Sequence, residues 1–346
     1  MSNPLGVHLV GSVPLGDPEE VFREVSSVLG DRLHRLPDGE TGPRALWISY
    51  QLEKLLALDA FVPGPPGVEG TPPTVRLRDG VDPESIDFGD LGYASVLAES
   101  FATFDRLQSE GTIPAGVKFL AAMPTPLANI WAWLGQDPHV AQLAPRYEAA
   151  MRREVDEILA TIPHDRMCVQ WDVCVEVWIC EGWVPYPVPD PKQSVIDHVV
   201  RVSGWIPDDV ELGYHLCYGD WQHEHLQQPD DTANLVELVN GIVAGLGRPL
   251  AYVHIPVPIE RHDDAYFAPL RELVLQPGTE VYLGLVHIRD GEDGARRRIA
   301  AAQAVIPGFG VATECGMGRR PPQRGGSRDT LQELLELHAA VSDPVR

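Results

Sequence analysis

Eight short apolar segments recur along the chain, and each is followed by a stretch whose apolar residues lie three or four positions apart. Near-continuous apolar runs are typical of parallel strands buried on both faces, and the spacing of the intervening stretches is helical. The pattern therefore predicts an α/β protein with the architecture of a (β/α)₈ TIM barrel. The predicted strands span residues 6–11, 32–36, 117–122, 167–172, 210–217, 250–255, 280–287 and 308–314.

Helix signals lie between these strands. Asp17 and Pro18 predict the start of a helix that ends near Leu29, and Ser194 is the predicted cap of a later one. Residues 62–90, rich in proline, glycine and acidic residues, indicate an excursion or lid, and residues 173–188 predict an extended loop. The other predicted helices cover residues 43–56, 91–109, 140–162, 230–247, 264–275, 294–305 and 330–341.

Polar side chains gather at the C-terminal ends of the predicted strands. A closed barrel places all of these ends around one mouth. A doubly wound open sheet is the competing fold, but the chain has no Gly-rich dinucleotide turn. The distribution favours the barrel, with residues 1–346 as a single domain. The polar residues concerned are Ser12, Asp38, Glu40, Asp172, His215, Cys217, His287 and Cys315.

Three of these residues are candidate metal ligands. His215 and Cys217 are two positions apart, so both side chains leave the same face of an extended strand. Cys315 follows a later apolar run. Imidazole nitrogen and thiolate sulfur are ligands that zinc prefers. If the fold brings Cys315 to the other two, three zinc ligands converge.

Composition narrows the possible partners. The formal net charge of -23 argues against binding to nucleic acid or to an anionic membrane. The chain lacks an apolar run of about 18 residues, so no membrane span is expected. Its first residues lack the regions of a signal peptide. Five cysteines, an odd number without a disulfide-framework spacing, favour a reducing cytoplasm.

Several motifs together resemble the catalytic C-terminal barrel of cobalamin-independent methionine synthase, within the superfamily shared with uroporphyrinogen decarboxylase. The resemblance runs in order over nearly the whole chain. It is carried by Val10–Pro14, Asp38–Arg44, Met123–Pro126, Gln170–Asp172, His215–Tyr218, Val286–His287 and Glu314–Arg319.

The resemblance implies a role for each matching residue. His215, Cys217 and Cys315 would hold Zn²⁺, and His287 would be the proton donor. Trp131 lies close to the position of a tryptophan that stacks on folate. The residues that would bind the homocysteine-like acceptor are Gly11, Ser12, Glu40 and Asp172.

Two departures from the family affect these assignments. The family's glutamate ligand at the end of the sixth strand is absent, so His254 or Glu260 is a candidate fourth ligand, or the site has three protein ligands. The family's Asp-Glu-Pro after the fourth strand is Asp172-Val-Cys-Val here. Zinc chemistry is therefore expected to be retained better than folate recognition.

Other residues of the same types have plainer interpretations. Asp38 and Glu40 also suit a turn and a helix start, because Asp-Gly is a common turn sequence. His223 and His225 are interpreted as part of a solvated loop. Residues interpreted as packing residues are Cys168, Cys174, Cys180, Trp171 and Trp178.

The sequence thus predicts a zinc-dependent methyl or alkyl transfer to a small-molecule thiol acceptor from an alkyl donor. Two alternatives stay open. One is a lyase or decarboxylase of the superfamily that acts on a small carboxylate or amino-acid-like substrate. The other is a non-catalytic binding protein that contains zinc. The identities of acceptor and donor, and the oligomeric state, do not follow from the sequence.

Overall fold

Parallel strands form the centre of the fold, as the apolar pattern predicts. The computed structural model describes residues 3–65, 74–219, 225, 227–319 and 328–345. Within them, eight parallel strands make one sheet and two antiparallel strands make a small second sheet. The ten strands are β1 (Val7–His8), β2 (Arg35–Pro37), β3 (Phe61–Pro63), β4 (Val75–Leu77), β5 (Lys118–Pro124), β6 (Met167–Val173), β7 (Glu211–Leu216), β8 (Tyr252–Pro256), β9 (Glu280–Gly284) and β10 (Gly310–Ala312).

The large sheet curls into a (β/α)₈ barrel. Its strand order is β1-β10-β9-β8-β7-β6-β5-β2, and a parallel bridge between Val7 and Leu33 links the two ends of that order. The surrounding helices are α1 (Pro18–Leu29), α2 (Tyr50–Ala57), α3 (Tyr93–Ser109), α4 (Pro126–Leu134), α5 (Val140–Thr161), α6 (Val175–Cys180), α7 (Pro191–Ser203), α8 (Ala233–Leu246), α9 (Asp264–Phe267), α10 (Gly291–Gln303) and α11 (Arg328–Ala340). None of the described helices is both long and apolar enough to cross a bilayer.

Local signals explain where several helices begin. The side chain of Asp17 accepts a hydrogen bond from the Glu20 backbone N–H at 2.9 Å, and Pro18 fills the first turn of α1, as predicted. The prediction for α7 is wrong at its start. The helix begins at Pro191 rather than after Ser194, because Asp190 caps it by accepting from the Gln193 N–H at 3.1 Å.

Three other segments differ from the sequence predictions. Residues 173–188 include helix α6 instead of forming an extended loop throughout, since four of its six residues are apolar and buried in the core. The segment from residue 43 is a kinked 3₁₀ stretch, Gly42–Ser49, before α2 begins. Within 62–90, Phe88 stacks on Phe61 and packs in the core, so this part of the excursion is not a lid. Residues 66–73 of it lie outside the described residues.

The strand register brings the candidate site to one level of the barrel. Asp172 on β6 is paired with His215 on β7, and His215 is paired with His254 on β8. Strands in this barrel run parallel, so their C-terminal ends lie at the same mouth. Residues that follow these strand ends therefore meet there, although they are far apart along the chain.

Candidate metal centre and adjoining pocket

The three predicted metal ligands lie together at the mouth of the barrel. The Sγ atoms of Cys217 and Cys315 are 3.6 Å apart, and the Sγ of Cys315 is 3.7 Å from the Nε2 of His215. The three ligand atoms all lie within 4.8 Å of one another, and all three residues are buried. We call these residues the mouth cluster.

Two of the three separations in the mouth cluster fit tetrahedral zinc. Zn–S bonds of about 2.3 Å and Zn–N bonds of about 2.0–2.1 Å place two sulfurs about 3.8 Å apart and a sulfur and a nitrogen about 3.5 Å apart. The observed separations of 3.6 Å and 3.7 Å lie close to these edges. The Gly219 backbone N–H also donates to the Cys217 Sγ at 3.3 Å, a contact that favours the thiolate needed for metal binding.

His254 determines which nitrogen of His215 faces the thiols. The Nε2 of His254 lies 3.0 Å from the Thr313 carbonyl oxygen, which can only accept, so Nε2 carries the proton. Burial lowers the pKa of His254 to about 4, and the ring is therefore neutral near pH 7. Its Nδ1 then accepts from the Nδ1–H of His215 at 2.8 Å, and the lone pair of His215 Nε2 is directed to the cluster.

The two candidates for a fourth ligand occupy different surroundings. Both ring nitrogens of His254 are engaged in the hydrogen bonds just described. The side chain of Glu260 is 83% exposed and pairs with Arg289 at 3.3 Å. Neither residue belongs to the group of converging ligand atoms among the described residues.

The predicted substrate residues share a cavity with the mouth cluster. Gly11, Ser12, Glu40 and Asp172 line it together with His215 and Cys217. A Cβ at position 11 would lie 2.9 Å from the Oε1 of Glu40, so the glycine allows this carboxylate to pack against the first strand end. The cavity measures about 10 Å³, which is room for about one water molecule.

Asp38 contributes to this cavity indirectly. Its carboxylate forms a buried ion pair with Arg44 and accepts from the Ser100 hydroxyl at 2.8 Å. It also accepts from the Glu40 backbone N–H at 3.0 Å. Glu40 adopts a positive φ of 47°, which is unusual for a non-glycine residue. The hydrogen bond from Asp38 therefore helps to hold Glu40 in the turn that points it into the cavity.

Trp47 closes the cavity, and the sequence analysis did not single it out. Its indole Nε1–H donates to the Oδ2 of Asp172 at 3.0 Å, and the ring packs against the cysteines. Its backbone has φ 55° and ψ -115°, a strained conformation for an aromatic residue. The indole N–H thus donates a hydrogen bond to the Asp172 carboxylate, which was predicted to bind the substrate ammonium group.

His287 lies beside a carboxylate near the mouth cluster. Its Nε2–H donates to the Val257 carbonyl oxygen at 2.8 Å, and its Nδ1 is 3.5 Å from the Oε2 of Glu314. The same carboxylate oxygen is 3.4 Å from the Nε2 of His225. The solvated-loop interpretation of His225 is therefore wrong, because its side chain is only 5% exposed. His223 lies outside the described residues.

The remaining candidates divide between packing and the cavity. Trp131 on α4 packs edge-on against Tyr186 with ring centroids 5.2 Å apart and is not among the residues that line the cavity. Cys168 and Cys180 behave as packing residues, since burial raises the pKa of each thiol to about 12. Cys174 differs from both: it lines the cavity and packs in one cluster with Cys217 and Cys315.

Comparison with known proteins adds one finding. No family model matches the chain, and no curated protein matches it. Among solved structures, the chain is similar to a proposed vitamin-B12 independent methionine synthase from Listeria monocytogenes, at 14% sequence identity and a TM-score of 0.57. The alignment covers 99% of each chain. At this identity the likeness shows the fold alone: the chain folds as a barrel similar to that protein.

Proposed function

We propose that the protein is a zinc-dependent transferase that moves a methyl or other alkyl group onto the sulfur of a homocysteine-like thiol. The observation that carries the proposal is the convergence of one imidazole nitrogen and two sulfurs, of which two separations, 3.6 Å and 3.7 Å, are close to the edges of a zinc tetrahedron. These donors adjoin a cavity lined by two carboxylates, Glu40 and Asp172. The fold shared with the Listeria protein supports the same chemistry.

Each residue of the site has a separate proposed role. His215, Cys217 and Cys315 would hold the zinc, which lowers the pKa of an acceptor thiol and so supplies a nucleophile near neutral pH. Glu40 and Asp172 bind the ammonium group of the acceptor and fix its sulfur near the alkyl carbon. Asp172 releases the Trp47 indole when it takes the ammonium group. His287, whose Nε2–H donates to the Val257 carbonyl oxygen, would deliver to the departing donor fragment a proton carried on Nδ1, which lies beside Glu314.

The chemistry of the cavity favours this function over the two alternatives. The two carboxylates that line the cavity, Glu40 and Asp172, suit an ammonium group, which a homocysteine-like acceptor carries and a simple carboxylate substrate lacks. A structural zinc site is closed by four protein ligands, whereas three ligand atoms converge here within the described part of the chain. An acidic cavity beside a three-ligand metal site suits an amino-thiol acceptor.

Partners and compartment follow from the same proposal. The acceptor and the donor are small molecules, and the net charge of -23 disfavours nucleic acid. We propose a reducing cytosol as the compartment, because the chain has an odd number of cysteines without a disulfide-framework spacing. We propose that residues 1–346 act as one unit, because the residues of the site come from β1 through β10 and their following loops.

Metal analysis with X-ray absorption, before and after addition of homocysteine, tests the proposal. We expect about one zinc per chain and a new zinc–sulfur contact when the thiol is added. Cys217→Ser and Cys315→Ser should each lose the metal and keep the far-ultraviolet circular dichroism of the wild type. Cys180→Ser, a buried thiol away from the cavity, is the matched control and should keep the metal. Full zinc occupancy in both ligand variants would overturn the proposal.

A further inference from the structure

Arg298 is a buried arginine that joins two loops at the C-terminal ends of the strands. It lies on α10, and its side chain is 1% exposed. Its Nε–H donates to the Leu285 carbonyl oxygen at 2.8 Å, and its Nη1–H donates to the Ile259 carbonyl oxygen at 2.6 Å. The first carbonyl belongs to the loop after β9 and the second to the loop after β8. One guanidinium therefore sets the separation of the two loops.

The same two loops carry the His287 side chain and the atom that accepts its hydrogen bond. His287 lies two residues after Leu285, and Val257 lies two residues before Ile259. The Nε2–H of His287 donates to the Val257 carbonyl oxygen at 2.8 Å. A change in the separation of the loops would lengthen or bend this hydrogen bond, and hydrogen bonds weaken steeply when they bend. The orientation of the His287 ring therefore depends on Arg298.

Asp290, three residues after His287, gives Arg298 a third point of attachment. Its carboxylate forms a bidentate ion pair with the guanidinium, at 2.7 Å and 2.8 Å. Bidentate pairs of this kind are specific in geometry as well as strong. The pair requires a glycine in the first turn of α10, because a Cβ at position 294 would lie 1.9 Å from the Oδ2 of Asp290. We call Arg298, Asp290 and Gly294 the loop clamp.

Another buried arginine shows what a purely structural role looks like. Arg248 is 6% exposed and also donates to backbone carbonyls, among them the Pro207 oxygen at 2.9 Å. Pro207 precedes β7, so this contact lies at the N-terminal end of the barrel and holds a loop without a candidate site residue. Arg298 differs, because each of its carbonyl partners lies two residues from a member of the His287–Val257 hydrogen bond.

We propose that Arg298 is a positioning residue, which locks the His287 ring with Nε2 on the Val257 carbonyl and leaves Nδ1 as the atom that gives up a proton. The inference rests on the proposed function, in which His287 is the proton donor. A carbonyl oxygen can only accept, so Nε2 keeps its proton throughout. When Nδ1 transfers its proton to the departing fragment, the ring returns from the imidazolium to the neutral form.

The lock determines the direction in which the proton leaves. The Nδ1 atom of His287 lies 3.5 Å from the Oε2 of Glu314, so the transferable proton is on that side of the ring. Without the loop clamp, the ring can turn over and exchange the places of its two nitrogens. The proton would then point to the Val257 side in part of the molecules, where the backbone carbonyl retains it.

Nitrogen NMR of the zinc-loaded full chain, labelled with ¹⁵N in its histidines, tests this inference. His287→Gln identifies the resonances of His287. When the ring is neutral, wild type should show one tautomer, with the proton on Nε2. In Arg298→Met the signals of both tautomers should appear. The Nε2–H should then exchange with water about 2–10-fold faster, the factor that one neutral hydrogen bond contributes.

Two further variants and two controls separate a positioning role from a structural one. Arg298→Lys keeps the charge but reaches fewer of the three partners, so its exchange rate should lie between those of Arg298→Met and wild type. Gly294→Ala keeps Arg298 but displaces Asp290, and it should also speed the exchange. Arg297→Met, at an exposed partner of the same carboxylate at 3.6 Å, and Arg248→Lys are the matched controls. Both should retain the wild-type tautomer and exchange rate.

The outcomes distinguish this inference from the proposed function. The wild-type tautomer and exchange rate in Arg298→Met would overturn the inference, and so would an equal change in Arg248→Lys, which would assign the effect to stability. Both results leave the proposed function standing, because zinc binding is measured separately. A chain that binds no zinc would overturn the proposed function and the role of the loop clamp in proton delivery. Circular dichroism checks the fold of each variant, and if Arg298→Met does not fold, Arg298→Lys and Gly294→Ala decide the question.

Discussion

Two polar clusters lie at opposite ends of the barrel, and they differ in the signs of charge that their residues supply. At the N-terminal strand ends, Arg35 donates to Glu211 at 2.7 Å and to Glu280 at 2.6 Å. We call these three residues the basal cluster. The guanidinium of Arg35 also lies over the Tyr252 ring, 4.8 Å from the centroid. The protein itself supplies both signs of charge there.

The residues of the mouth cluster all supply atoms that donate electron pairs. An imidazole lone pair and two sulfurs converge, with two carboxylates on the same cavity and no Lys or Arg among the described lining residues. A cluster of polar side chains is stable without a ligand when opposite charges balance, as in the basal cluster. Electron-pair donors that converge without a protein cation point instead to a cation from outside. The comparison predicts that substitutions in the basal cluster lower the stability of the fold, whereas substitutions at the mouth change the binding of zinc or of the acceptor.

The largest expected effect on stability is at the basal cluster. Arg35→Met removes a 6% exposed guanidinium from two carboxylates that are about 30% exposed, and Glu211 keeps Lys118 at 3.0 Å, so we expect a loss of about 2 kcal/mol in the free energy of unfolding. Urea denaturation measures it. Arg296→Met is the control, because Arg296 and Glu292 form an exposed pair at 2.6 Å worth less than about 0.5 kcal/mol. Zinc content per folded Arg35→Met chain should stay at the wild-type level. Loss of zinc would mean that the two ends are coupled.

The second prediction concerns the orientation of His215. His254→Leu removes the acceptor for the His215 Nδ1–H and should weaken zinc binding about 10–100-fold. His254→Asn can place an amide oxygen near the former Nδ1 and should restore part of the affinity. Competition with a chelator measures both affinities. Equal weakening in the two variants would show that bulk at this position matters rather than the hydrogen bond.

The third prediction concerns Trp47, whose indole N–H occupies Asp172. Trp47→Phe keeps an aromatic ring but removes the donor, so the carboxylate becomes available to an ammonium group. A hydrogen bond to a charged group contributes about 1.5–3 kcal/mol, and we expect at least about 10-fold tighter binding of homocysteine by calorimetry. Trp178→Phe is the control: Trp178 packs against the same cysteines, but its Nε1 has no hydrogen-bond partner. Tighter binding in both variants would assign the effect to packing.

The sequence predicts the barrel and the mouth cluster, but not every residue that surrounds the cluster. The barrel follows from apolar periodicity, and the mouth cluster from an H-x-C spacing joined to a family resemblance. Trp47 and Cys174 could not be found in that way. The role of Trp47 depends on a backbone kink at Leu46 and Trp47 inside a stretch with helical spacing. The position of Cys174 beside the mouth cluster depends on the register between β6 and β7, which no local pattern of either strand contains.

Other misses have the same physical origin. Helix α6 lies in a segment whose aromatic residues and prolines indicate a loop, and tertiary burial of its apolar residues outweighs that signal. The assignment of His254 as a fourth ligand stays a prediction, but the contact of its Nε2 with the Thr313 carbonyl oxygen, which follows β10, could not be foreseen from the sequence. Contacts between distant strand ends therefore limit the sequence prediction, whereas the elements themselves are largely predictable.

The smallest expected effect is a pH dependence at the basal cluster. Burial alone would raise the pKa of Glu211, but Arg35 and Lys118 outweigh it and lower the pKa below the ordinary value of 4.5. A lowered pKa in the folded state stabilises the protein above pH 4.5, and this contribution is lost as the pH falls through the folded pKa. Urea midpoints should therefore fall less steeply between about pH 6 and about pH 3 in Glu211→Gln than in the wild type. Glu260→Gln, at an exposed pair, should retain the wild-type slope. The same slope in wild type and Glu211→Gln would show that the basal ion pair does not govern stability in acid.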